Sequence, residues 1–183
     1  NKGIHSLTAL LGTEAKKTRT DVTTATGTGF GLTSRDYVYI SRAEGTKTAN
    51  NSANIYAMTS YFGKVNYTLA DKYLFSVTVR RDASSRFGKQ NNSGVFPSAS
   101  IGWRVNKENF LAGAGSWLSD LKLRASWGIN GNDQINNTAT YSLYDVNIYN
   151  STYNLSGDDR TLSYGAIRSQ TGNNNLRWEQ TEQ

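Results

Sequence analysis

The 183-residue sequence has no cysteine, one proline, one histidine and one methionine, and no long apolar run. Without cysteine there is no disulfide framework and no thiolate metal site. With His5 as the only histidine, neither a Ser-His-Asp triad, a Cys-His pair nor a zinc cluster can be assembled. No catalytic residue, metal ligand or cofactor site is therefore assigned, and no enzyme is expected. Gly27-Thr-Gly-Phe-Gly31 lacks the following Gly-Lys-Ser/Thr and helix of a phosphate-binding loop. The acids Asp133 and Asp158-Asp159 lack the spacing of a calcium loop and read as solvated loop residues. Carboxylates for glycoside hydrolysis need a defined separation across a cleft, and nothing in the sequence sets one. Mean hydropathy is −0.59, which excludes a helical membrane span. The formal net charge of +6 comes from scattered Lys and Arg without a basic run, so nucleic acid is not an expected partner.

What is present is alternation. Over 53–69, Ile55, Ala57, Thr59, Tyr61, Gly63, Val65, Tyr67 and Leu69 share one side, opposed by Met58, Ser60, Lys64, Asn66 and Thr68. Over 73–82, Tyr73, Phe75, Val77 and Val79 oppose Ser76, Thr78 and Arg80. Over 95–105, Pro97, Ala99, Ile101, Trp103 and Val105 oppose Ser98, Ser100 and Arg104. Over 119–128, Leu121, Leu123, Ala125 and Trp127 oppose Lys122, Arg124 and Ser126. A period of two places one set on each face of a strand. Such strands exceed the usual five or six residues of soluble sheets and match the roughly 9–11 of a tilted bilayer crossing. With apolar-out and polar-in patterning, the spacing predicts an all-β antiparallel meander of about six strands belonging to a transmembrane β-barrel.

Further strands are predicted at 4–16 and from 176 onward, with long loops at 17–51 and 129–174. The island Tyr37-Val-Tyr-Ile40 reads as a strand-like patch in the first loop. Counting reversals, loops 17–51, 83–94 and 129–174 share one end, and the connections 70–72 and 106–118 share the other. In the latter, Phe110, Leu111, Trp117 and Leu118 are expected to dip into the membrane interface. Tyr67, Tyr73 and Trp103 near one end and Trp127 and Trp178 near the other read as two interfacial aromatic belts. Six strands cannot close a barrel, and open edges are not tolerated in hydrocarbon. The chain thus reads as part of a larger wall. No signal peptide opens it, so its start reads as internal.

Several segments follow in an order that resembles a known family: Ser60-Tyr-Phe-Gly-Lys-Val-Asn-Tyr67, Asp71-Lys-Tyr-Leu74, Arg80-Arg-Asp-Ala-Ser-Ser-Arg-Phe-Gly88, Gly94-Val-Phe-Pro-Ser-Ala-Ser-Ile-Gly-Trp-Arg104, Leu118-Ser-Asp-Leu-Lys-Leu-Arg-Ala-Ser-Trp-Gly128 and Asn175-Leu-Arg-Trp-Glu179. This set resembles the barrel region of SusC/RagA-type TonB-dependent transporters of the Bacteroidetes outer membrane. His5-Ser-Leu-Thr-Ala-Leu-Leu-Gly-Thr-Glu14 is similar to a strand just upstream. One departure is Ala83, where the family often carries glycine.

The resemblance implies that residues 1–183 are a partial barrel domain of the 22-stranded type. The plug, TonB-contacting segment, signal peptide and closing strands lie outside it. It further implies glycan uptake with a SusD-like surface lipoprotein as lid and the TonB complex as energy source. Two alternatives stand beside this: a peptide importer of the RagA branch, and a soluble carbohydrate-binding β-module with Val77, Val79 and Ile101 in a core. Lys64, Arg80, Arg104, Lys122 and Arg124, on the polar face, are the candidate lumen residues, for plug contact or the solute path. Tyr141, Tyr144, Tyr149, Tyr153 and Tyr164 are the candidate loop contacts, for cargo or lid.

Overall fold

In the computed structural model of the chain, residues 3–32, 34–114, 118–146, 151–154, 157 and 163–183 are described. Five long strands follow one another as β1 (His5–Gly27), β2 (Lys47–Leu69), β3 (Tyr73–Ser84), β4 (Ser93–Arg104) and β5 (Lys122–Asn132). Short strands β6 (Leu143–Asp145), β7 (Thr152–Tyr153), β8 (Ser163–Tyr164) and β9 (Ile167–Gln170) precede β10 (Glu179–Glu182). The main sheet has six strands in the order β1-β2-β3-β4-β5-β10. Two small antiparallel pairs, β6 with β9 and β7 with β8, lie in the excursion between β5 and β10. No helix among the described residues is long and apolar enough to cross a membrane.

Register fixes the faces. The pairs Leu69↔Tyr73, Tyr73↔Trp103 and Trp103↔Leu123 form one lateral row. Two residues along, Tyr67, Phe75, Ile101 and Ala125 form the next, and Val65, Val77, Ala99 and Trp127 the one after. On the opposite face Asn66, Ser76, Ser100 and Ser126 are in line, as are Lys64, Thr78, Ser98 and Gly128. Because a one-residue slip would exchange the faces everywhere, four strands agreeing in register specify the pairing strongly.

Burial runs opposite to that of a soluble sheet. Val77, Val79 and Ile101 are 51%, 46% and 57% exposed, whereas Ser60, Ser84 and Asp82 on the polar face are 0%, 1% and 8% exposed. No second layer of the described residues covers the apolar rows, so the core expected of a soluble β-module is not there. A buried apolar cluster among the described residues, Phe87, Phe96 and Trp178, is instead on the polar side. Met58 packs against it, together with Ile129, Ile135 and Leu176. Trp178 is thus not part of an outward belt. Its ring meets Phe96 edge-on at 5.1 Å, and its Nε1 donates to Asn92 O at 3.0 Å.

The chain divides into two compact units, Lys17–Tyr56 and the remainder. Within the first, the strands continue to Gly27 and resume at Lys47, well inside the stretch predicted as loop. Residues 37–40, predicted as strand-like, instead border two 3-10 turns, Arg35–Tyr37 and Ile40–Arg42. The turn is closed by Gly45 N–H to Thr28 O (2.8 Å) and Glu44 N–H to Gly29 O (2.9 Å), with Gly29 at φ +70°. Only a residue without Cβ takes that angle at no steric cost.

Candidate functional site

The described lumen-side residues fall into three zones along the sheet. At the end where β3 turns into β4, Arg80 is held. Its Nε donates to both oxygens of Asp82 (2.7 and 2.9 Å), and its Nη2 donates to Ser60 Oγ (2.8 Å) and Glu14 Oε2 (3.1 Å). The guanidinium also lies 5.5 Å over the Phe62 ring. With two carboxylates, a hydroxyl and an aromatic face around it, this cation ties β1, β2 and β3 together. Beside it, Ser84 Oγ donates to Asp133 Oδ2 at 2.8 Å, and Arg86 Nη1 pairs with Asp133 Oδ1 at 3.4 Å. Arg86 Nε also donates to Asn137 at 2.8 Å. Asp133 is therefore a partly buried clamp between loops, not the solvated acid that the sequence suggested. Asp158 and Asp159 lie outside the described residues.

At the short-turn end, Glu108 ties the strands together. Its carboxylate accepts from Lys72 Nζ (2.9 Å), Tyr73 OH (2.8 Å) and Trp103 Nε1 (3.0 Å). The Lys72 ammonium, then the Trp103 and Tyr73 donors, hold its pKa down at about 2, well below the usual carboxylate value. Asp71 pairs with both Arg104 and Lys107, so Arg104 is also occupied. Of the expected interfacial residues Phe110 is exposed, and Trp117 lies outside the described set. The pair Tyr73 and Trp103 has one ring edge bound to Glu108 and the rest on the apolar face, as an interfacial belt requires. Midway along β5, in the row of Val77, Trp127 Nε1 donates to Glu182 Oε1 at 2.6 Å.

Between these zones the polar face forms a shallow recess of about 250 Å3, lined in part by Lys64, Asn66, Ser76, Ser100, Lys122 and Arg124. Lys64, Lys122 and Arg124 are exposed, and none of them has an ion-pair partner among the described residues. The five polar-face cations singled out from the sequence therefore separate into two that are ion-paired and three that are not, among the described residues. Of the loop tyrosines, Tyr141, Tyr144, Tyr153 and Tyr164 are exposed, while Tyr149 lies outside the described residues. Tyr153 and Tyr164 are on β7 and β8, whose register pairs Thr152 with Tyr164 and Tyr153 with Ser163. Phe62 and Phe96, aromatic residues on the polar face, were missed in the sequence. The signal was present in their phase: each shares strand parity with a polar residue of its own strand, Phe62 with Ser60 and Phe96 with Ser98.

A sheet with a bare apolar face and a hydrogen-bonded polar face is a piece of wall from a β-barrel in the outer membrane. Residues 5–183 match the family described as TonB dependent receptor-like, beta-barrel, and the chain belongs to that family. It is 46% identical over 125 residues to the TonB-dependent receptor SusC of Bacteroides thetaiotaomicron, which covers 68% of this chain and 12% of that protein. It is 33% identical over 181 residues to the TonB-dependent receptor P3 of Formosa agariphila, covering 99% of this chain and 17% of that receptor. The RagAB peptide importer in its closed-closed state superposes with a TM-score of 0.76 at 29% identity, over 100% of this chain and 19% of that one. The chain therefore spans between about a tenth and a fifth of the length of these relatives, and it is of the SusC/RagA type.

Proposed function

We propose that residues 1–183 form about six strands of the wall of a 22-stranded outer-membrane importer for oligosaccharides. A plug, a TonB-contacting segment and the closing strands belong to the rest of that protein. The observation that supports a glycan cargo is the composition of the two surfaces a solute would meet. The inward rows carry Asn66, Ser76, Ser100 and Ser126 in line, and the loops present Tyr141, Tyr144, Tyr153 and Tyr164. Hydroxyl and amide groups match sugar hydroxyls, and aromatic faces match the apolar faces of sugar rings. In this reading the loop tyrosines serve cargo or a SusD-like lipoprotein lid, and the TonB complex supplies the energy. A second reading, peptide import, rests on the superposition with the RagAB peptide importer.

Deletion of the full-length protein separates the two. Loss of growth on one polysaccharide, with growth on peptides intact, supports glycan import. Loss on peptides alone assigns the protein to peptide uptake, and unchanged growth on all glycans refutes the first reading.

A further inference from the structure

We propose that the recess holding Lys64, Lys122 and Arg124 is a binding tray for an acidic oligosaccharide, one carrying carboxylate or sulfate groups. This deepens the glycan-import reading and rests on it. Three observations carry the inference. The three cations are exposed on one face without counter-ions among the described residues, and no carboxylate is among the residues that line the recess. The two other candidate cations of that face are neutralised by Asp82 with Glu14 and by Asp71. Among the described residues, the face thus places acids beside Arg80 and Arg104 and none beside this patch. Finally, the floor between the cations is made of Asn66, Ser76 and Ser100, groups that donate and accept hydrogen bonds but carry no charge.

Register gives the scale. Lys64 is in the row above the Asn66–Ser126 line and Arg124 in the row below it, on strands three apart. Strand geometry puts their backbones about 14 Å apart across the sheet and about 13 Å apart along it. A single small anion cannot be held by both ends of that span, whereas a chain with a charge on successive units can. Arg124 offers a planar fork for a carboxylate or sulfate, and the two lysines act as point charges. An acidic peptide would meet the same charges. Its amide groups, however, would find no free backbone partners on β2, β3 and β4, each paired on both sides, whereas the Asn66, Ser76 and Ser100 side chains offer groups that sugar hydroxyls match, so this floor favours the sugar.

The test uses the purified full-length transporter in detergent, titrated with an oligogalacturonate, a neutral oligosaccharide of equal length and an oligoglutamate. The wild type is expected to bind oligogalacturonate roughly tenfold or more tightly than the neutral sugar, the scale of one charge-assisted contact. That preference is expected to shrink as salt is raised, because exposed charges are screened. A triple K64Q/K122Q/R124Q variant is expected to lose the preference, while K89Q, in the loop before β4, retains it. Equal wild-type affinity for acidic and neutral sugars overturns the tray without any variant and leaves glycan import standing. A preference retained by the triple variant overturns it too, as does tighter binding of oligoglutamate. Binding of neither sugar overturns the tray and the glycan reading together.

Discussion

Replacing Val77 with arginine in the full-length barrel is expected to cost far more than the same replacement one residue along, at Thr78. Val77 is 51% exposed and belongs to the row Val65, Val77, Ala99 and Trp127. It lies four residues in from Tyr73, whose hydroxyl marks the interface by binding Glu108. Four residues of strand are about 13 Å, or about 9 Å of depth at a 45° tilt, which puts the side chain well inside a hydrocarbon layer about 25 Å tall. Arginine on the lipid face costs about 2–4 kcal/mol at mid-depth and about 0–1 near the interface, so about 2 kcal/mol is expected here. Thr78 points to the wet side, where arginine is expected to change stability by about 0.5 kcal/mol or less. The chain's own packing cannot supply the difference, since half of Val77 is bare. Urea unfolding of the refolded transporter in lipid vesicles, read by heat-modifiable migration on gels, measures both variants. Equal costs, or a cheap V77R, would refute the assignment of the apolar face to lipid.

Phe96→Ala empties part of the cluster with Phe87 and Trp178 and is expected to cost about 3 kcal/mol in the same unfolding assay. Gly131→Ala would drive a Cβ into Phe96 Cζ, so the ring must move, at about 1–3 kcal/mol. Combining the two substitutions should cost less than their sum, because the first removes the atoms that the second strikes. Glu108→Gln tests the clasp at the short turns. The native carboxyl titrates near 2 against an ordinary value of 4.5, so its contribution is present above about 4.5 and is lost as pH falls through about 2. The wild type should therefore lose thermal stability over that acid window, and the variant should show a flatter acid limb. Arg86→Ala removes the guanidinium's bonds to Asp133 and Asn137 and is expected to cost about 1–2 kcal/mol, with faster limited proteolysis between residues 133 and 140.

The middle of the sheet was legible because each of its strands has one face that differs from the other. Tyr73, Phe75, Val77 and Val79 against Ser76, Thr78 and Arg80 leave a single phase, and β3 begins at the predicted residue. The same alternation placed Lys64, Arg104, Lys122 and Arg124 together on one face. The outer parts of β1 and β2 were illegible for the converse reason. Residues 17–27 and 47–53 are Thr-, Asn- and Lys-rich on both faces, and both faces are largely exposed, so no period survives. Threonine's preference for extended backbone was the available signal. Trp178 was placed outward on strand parity, but it precedes β10 and is drawn inward by Phe87 and Phe96, whose approach depends on two loops folding back. Which cations were free was likewise unreadable, because Asp71, Asp82 and Glu14 come to Arg104 and Arg80 through turns and neighbouring strands rather than through sequence spacing.

β5 and β10 are neighbours in the sheet, yet residues 133 to 178 separate them, against three residues in the turn from β2 to β3. A closure roughly fifteen times longer carries about 2 kcal/mol more entropic cost, since each doubling adds about 0.6 kcal/mol. Trp178, seated on Phe96 one residue before pairing resumes, anchors the returning end of that excursion at the very seam it must reach. The loop region can thus lengthen or shorten in its middle without shifting the register of the wall, which lets the segments between residues 133 and 178 diversify while the strand ladder stays the same.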